Sequence, residues 1–129
     1  MIKEFSQLVI AAFPDFATAG KIAHVGAEFD PPADGQWLEI MTFNSGSNDY
    51  AIGSTAIERG FFRVVAGSRL GANNILQLEA LAEQIADAFP KGSRFGIAVT
   101  DTRPSLSGVI ISGDRAYIPV TIRWRTTRT

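Results

Sequence analysis

The chain has 129 residues, enough for one domain with a full hydrophobic core, so we expect a single domain over residues 1–129. Cysteine is absent, which excludes disulfides, thiolate metal sites and a cysteine nucleophile, and 46% hydrophobic with 19% charged residues is globular composition. The net charge of −1 argues against specific nucleic-acid binding, and the apolar runs are too short to span a bilayer. We therefore predict an intracellular protein without membrane contact.

The charges are unevenly distributed along the chain. Residues 1–50 carry two lysines and seven acidic residues, whereas residues 51–129 carry ten basic and six acidic residues. One explanation is that the two halves pair internally. The other is that opposite patches lie on different faces, so that copies associate head to tail in a ring.

The first element in the chain is a predicted amphipathic helix over residues 1–13. Ile2, Phe5 and Val9 recur at helical spacing. Pro14 disfavours a helical conformation at the residue before it, so the helix should end there and lead into a loop around Gly20.

A strand over residues 36–43 follows a short extended segment and the turn sequence PPADG. Its alternate positions are mostly apolar on both faces, with Trp37, Met41 and Phe43 on one and Leu38 and Ile40 on the other. This pattern predicts cover on both sides, by a helix and by a neighbouring subunit.

Residues 44–55, NSGSNDYAIGST, have the Gly, Ser and Asn content of a mobile loop. A loop of this length in a small domain suggests a role beyond connecting two strands. The next strand is predicted over residues 56–66, with Gly60 marking a bulge or a close backbone approach.

A central helix is predicted over residues 73–89 and ends at Pro90 and Gly92. Its apolar positions form one stripe, which needs a sheet to pack on. They are Ile75, Leu78, Leu81, Ala82, Ile85 and Phe89.

The C-terminal part is predicted to form strands over residues 93–102, 107–111 and 115–125, with a tight turn over 112–114. In the last strand Ile118, Val120, Ile122 and Trp124 alternate with polar and basic residues, so one face is core and the other basic. Pro119 suggests an edge or a bulge, and the tail TTRT is predicted to fray. The fold class is therefore α+β, a mainly antiparallel or mixed sheet of about five or six strands with an N-terminal and a central helix packed on it.

Motifs for catalysis, metal binding or cofactor binding are not found. His24 is the single histidine, which excludes a multi-histidine metal site, and a structural role is favoured over a catalytic one. GSRLG at residues 67–71 lacks the rest of a phosphate-binding fingerprint, although an anion at the following helix with Arg69 stays open. Arg59, Arg63, Arg123 and Arg125 are predicted to line a basic surface with Tyr117, where a protein contact is favoured over nucleic acid.

The order of these elements resembles the tail terminator family of long-tailed phages and prophages. The resemblance lies in PPADGQWLEI, ERGFFRVVAG, ALAEQIADAFPKGSRF and YIPVTIRW, between about Asp30 and Trp124. It implies a non-enzymatic minor tail protein of the virion, assembled in the host cytoplasm. Such a subunit forms a hexameric ring that caps the tail tube, stops its polymerisation and presents a surface to head-completion proteins. Its partners would be copies of itself, the tail tube protein and a head-completion or connector protein.

The proposed interface residues come from the sequence pattern and not from the resemblance. Asn48, Asp49 and Tyr50 are predicted to make axial contacts. The four arginines named above are predicted to contact other subunits or the tube. Alternatives are a head-closure or connector subunit, or a small-ligand-binding or enzymatic domain that uses His24 or the helix entry after Gly67.

Overall fold

A sheet of long strands forms the centre of the structure, a computed structural model that describes residues 2–23, 36–48, 56–70, 74–95 and 98–128. Within these ranges the sheet has eight strands in the order β1-β2-β3-β8-β5-β4, with β6 and β7 also paired to β8. The first pair is parallel and the others are antiparallel. The strands are β1 (Ile22–Ala23), β2 (Gln36–Asn48), β3 (Ala56–Arg69), β4 (Arg94–Phe95), β5 (Ala98–Thr100), β6 (Ser105–Leu106), β7 (Ile110–Ser112) and β8 (Arg115–Arg128).

Two helices, α1 (Ile2–Ala12) and α3 (Asn74–Ala88), cover one face of this sheet, which we call the helix face. Phe5 of α1 stacks on Phe62 of β3 at 4.1 Å and approaches Phe89, just after α3, at 5.3 Å between ring centroids. The predicted apolar stripe of α3 is confirmed, because its members from Leu78 onward are buried in the same core. The α+β prediction of a sheet carrying an N-terminal and a central helix is therefore confirmed.

The sheet has more strands than the predicted five or six, because three short strands, β5, β6 and β7, pair with β8, and β4 pairs with β5. Residues 93–102 split into β4 and β5, which form their own antiparallel pair. Ser105, expected to separate strands, begins β6. A further short helix, α2 (Pro14–Thr18), replaces part of the predicted N-terminal loop, with Pro14 in its first turn where proline is tolerated.

Two segments predicted to be irregular are paired strands. Asn44 to Asn48 continue β2 opposite the start of β3, with one extra residue accommodated between Asn44 and Ser47. At the other end, Thr126 and the two residues after it continue β8 opposite Glu58, Ile57 and Ala56. Each segment lies beside a partner strand that supplies its hydrogen bonds, and this pairing overrides its loop-like composition.

Pro119 lies in an interior strand, not at the predicted edge. It pairs with Val65 of β3, and its carbonyl accepts a hydrogen bond from the Ser107 amide at 3.0 Å on the other side. The amide and carbonyl of one strand residue point the same way, so the missing N–H of Pro119 also faces the segment between β6 and β7. The ladder is interrupted there, and proline removes no regular hydrogen bond.

Both tryptophans lie across glycines of β3, one on each face of the sheet. Trp124 covers Gly60 on the helix face, and Trp37 covers Gly67 on the opposite face. A Cβ built on Gly60 would lie 2.5 Å from Cζ2 of Trp124. The predicted close backbone approach at Gly60 is thus confirmed.

Replacing Gly60 with alanine is expected to lower the free energy of unfolding by about 1–3 kcal/mol, because the Trp124 ring must move from its packed position. Urea denaturation followed by tryptophan fluorescence measures this loss. Gly108→Ala is the matched control, because nothing lies within 4 Å of a Cβ added there. Equal stability of the two variants would contradict the close packing of Trp124 on Gly60.

Candidate functional site

The sheet face opposite α1 and α3, here called the outer face, carries a concentration of arginines. In the sheet register Arg59 of β3 lies directly opposite Arg125 of β8, and Phe61 lies opposite Arg123. Arg63 lies one step further along β3, opposite Thr121. The four arginines singled out from the sequence therefore lie together on two neighbouring strands, although this placement does not test their function.

A fifth arginine, which sequence reasoning missed, extends this group. Arg94 of β4 pairs with Val99, and Val99 pairs with Arg125, so all three share the outer face. Arg94 is exposed. No sequence signal pointed to it, because its position depends on the pairing of the two-residue strand β4. We call the five residues Arg59, Arg63, Arg94, Arg123 and Arg125 the arginine patch.

Contacts within the chain fix the orientation of several of these side chains. Arg125 Nε lies 3.1 Å from an Asp101 carboxylate oxygen, and Arg123 donates to the Ser105 hydroxyl at 3.4 Å. Arg63 donates to the Thr121 hydroxyl at 3.3 Å. These partners hold guanidinium groups at the surface and do not bury them.

The arginine patch brings five guanidinium groups to one face of the sheet. Directly opposed like charges such as Arg59 and Arg125 destabilise a sheet, so stability alone does not favour this arrangement. Asp101 offsets one cation, but this pair is 46% and 37% exposed, and an exposed ion pair contributes only about 0–1 kcal/mol. Residues that work against local stability are typical of functional surfaces.

Apolar side chains lie next to Arg63, toward the β2 side of the patch. The Arg63 guanidinium carbon is 5.6 Å from the centroid of the half-buried Phe61 ring. Met41 of β2 lies opposite Arg63 and is 44% exposed. Arginine, methionine and aromatic residues together are the composition of protein interfaces. The sequence contained part of this signal, because both apolar faces of this strand, including the one with Met41, were predicted to be covered.

The other end of the outer face is closed by contacts within the chain. Tyr117 was predicted to line the basic surface together with the arginines. Instead it packs edge-on against Trp37, with ring centroids 6.1 Å apart. Arg69 forms a 2.6 Å ion pair with Asp114. A hydrogen bond with Tyr117 is the main cause that raises the pKa of the neighbouring Arg115. This end is therefore occupied internally.

The remaining candidate residues are placed only in part. Asn48 is the last residue of β2, opposite Ile57. Asp49, Tyr50 and His24 lie outside the described residues. The proposed axial contacts and the role of the histidine therefore stay predictions.

Two clefts of about 390 Å³ and 200 Å³ lie beside α2 and share Asp15 and Phe16 in their linings. In the described part of the chain no group of three or more His, Asp or Glu side chains is arranged to hold a metal ion. No helix in those ranges is both long and apolar enough to cross a bilayer. Among the described residues, the arginine patch is therefore the candidate interaction surface.

Comparisons with known proteins agree with this architecture. A family model described as phage tail terminator protein matches residues 3–124. One solved structure has a TM-score of 0.66 to this chain at 19% sequence identity, and the match covers 94% of both chains. At that identity the likeness establishes a shared fold alone. No curated protein matches the sequence at a significant level.

Proposed function

Because the chain belongs to the phage tail terminator family, we propose that it forms a ring, hexameric in the assembled tail, that caps the tail tube and stops its growth. The family assignment supports a structural role in the virion tail and contact with other tail components. It also points to a structural protein and away from an enzyme. Ring formation, capping and head–tail joining are the finer steps that we propose.

The observation that carries this proposal is the arginine patch with the apolar side chains beside it. It lies on the face of the sheet away from the two helices of the core, and its arginines, most of them exposed, lie beside Met41 and Phe61. Burying such a surface against a partner surface of negative charge removes apolar area from water and brings opposite charges together. The mechanism is associative: ring closure presents one face to the last tube subunits, and the opposite face offers a surface for a head-completion protein in place of another tube ring.

Capping predicts a specific effect on tube growth. Tail tube protein polymerised in the presence of this chain is expected to give tubes whose length falls as the concentration of the chain rises. One ring per tube end suffices, so a small molar ratio should act. Tube lengths are measured by negative-stain electron microscopy, and native mass spectrometry with and without tube protein gives the number of copies.

His24→Ala separates this proposal from the ligand-binding and enzymatic alternatives. An assembly protein should keep its oligomeric state and its effect on tube length after this substitution. Tube lengths that do not respond to the unmodified chain would contradict the capping proposal.

A further inference from the structure

One side of α3 is a candidate partner for the arginine patch. Its solvent side carries Leu76, Glu79, Glu83 and Asp87, which recur at steps of three and four and so form one stripe, here called the α3 stripe. Leu76 is 68% exposed. The stripe thus joins an apolar side chain at one end to three carboxylates.

The α3 stripe stays acidic despite one internal contact. Arg103 lies 3.6 Å from Glu83 and 3.4 Å from Asp87. All three side chains are more than half exposed, and ion pairs of this kind are weak and readily exchanged. Three carboxylates against one guanidinium leave a negative surface.

The two surfaces are complementary in character. The arginine patch places cations beside Met41 and Phe61, and the α3 stripe places carboxylates beside Leu76. Docking would bring the carboxylates against the arginines, and Leu76 at one end of the stripe against Met41 and Phe61 at the β2 side of the patch. Such complementarity selects the partner and fixes the register of a contact.

The two surfaces also agree in size. The stripe from residue 76 to 87 extends about 16 Å at the rise of an α-helix. Along β3, the patch from Arg59 to Arg63 extends about 13 Å, and the strands from β2 to β4 span about 19 Å across the sheet. A helix about 10–12 Å wide therefore fits on the patch.

We infer that the arginine patch of one subunit docks on the α3 stripe of a second copy of this chain. The stripe lies on the solvent side of the helix that covers the helix face, and the patch lies on the outer face, so one copy's two surfaces point in opposite directions. Each copy can therefore contact two neighbours at once. Such a heterologous contact does not pair two copies symmetrically. It forms a ring when the rotation between neighbouring copies closes, as the proposed function requires, and an open filament when it does not. The inference rests on the proposed function, because it supplies the contact through which the ring is built.

Charge reversal on each surface tests the pairing. The first variant carries Glu79→Lys, Glu83→Lys and Asp87→Lys, and the second carries Arg59→Glu, Arg123→Glu and Arg125→Glu. When two copies of the same variant meet, the patch of one and the stripe of the other carry charge of the same sign. Self-association should therefore be about a hundredfold or more weaker than that of the unmodified chain. Sedimentation velocity gives the association, and circular dichroism confirms that each variant is folded.

Mixing the two variants supplies the decisive readout. In an equimolar mixture the unchanged patch of the first variant can dock on the unchanged stripe of the second. The reversed stripe of the first variant also complements the reversed patch of the second. Association should therefore return, with the variants in a 1:1 ratio and an even number of copies by native mass spectrometry. One chain carrying all six substitutions has the net charge of the unmodified chain and should associate alone. Gln77→Lys with Gln84→Lys, on the adjacent flank of α3, is the control for added positive charge.

The outcomes separate this inference from the proposed function. If each variant associates alone as the unmodified chain does, or if the folded variants stay monomeric when mixed, the pairing of these two surfaces is wrong. Tube capping by the unmodified chain would still stand in either case. An unmodified chain that neither self-associates nor limits tube length would overturn both.

Discussion

Replacing Phe5 with alanine is expected to lower the free energy of unfolding by about 3–5 kcal/mol, the range for truncating a fully buried aromatic ring. Phe5 is 0% exposed. Its ring is nearly parallel to that of Phe62 at 4.1 Å and also approaches Phe89. One side chain therefore joins α1 to the sheet and to the end of α3, and its removal leaves a cavity where three elements meet.

Urea denaturation followed by far-ultraviolet circular dichroism measures this loss. A domain of this size has a total stability of about 5–15 kcal/mol, so the variant should unfold at a much lower urea concentration. Ile10→Ala is the matched control in the same helix, because Ile10 is 38% exposed and its truncation should cost about 1 kcal/mol or less. A Phe5→Ala loss as small as that of the control would mean that α1 does not anchor the core.

The sequence pattern was most informative where burial is one-sided. Alternation in β8 predicted that Val120 and Ile122 lie in the core and that Arg123 and Arg125 lie on the other face, and the structure agrees. The helical stripe through Leu78 and neighbouring positions was equally reliable. In both elements one buried face imposes a period on the residues, and that period can be read without knowing the partner.

Pairing between distant segments was the part that the sequence did not reveal. Asn44 to Asn48 have loop composition, yet they form strand because the start of β3 lies beside them. The tail after Arg125 is held in the same way from the other side of β3. Local propensity is a weak predictor where a neighbouring strand supplies the hydrogen bonds.

The candidate site was likewise predicted only in part from the sequence. Alternation predicted which arginines share a face, but not that Arg59 would lie opposite Arg125 or that Asp101 would pair with one of them. Arg94 joins the patch only through two strand pairings. Register depends on turn geometry and on the packing of the whole sheet, so contacts across strands follow from the three-dimensional structure.

Reversing two charges of the arginine patch is expected to have the largest effect on assembly. Arg123→Glu together with Arg125→Glu should weaken self-association or tube binding by about a hundredfold or more, since like charges placed against each other at an interface cost several kcal/mol. The folded monomer should be nearly unaffected. Both side chains are exposed, the Arg125–Asp101 pair contributes little, and the substitution also removes the repulsion between Arg59 and Arg125.

Size-exclusion chromatography with light scattering, together with co-sedimentation with tail tubes, measures the association, and urea denaturation measures the fold. Lys21→Glu with Lys91→Glu is the matched control, because it changes the net charge by the same amount at positions outside the arginine patch. Normal assembly by this control and none by the patch variant, at equal stability, would assign the effect to the patch and not to total charge. Unchanged assembly of the patch variant would show that Arg123 and Arg125 lie outside the interface. If they were buried against a partner, reversing their charge would weaken the association.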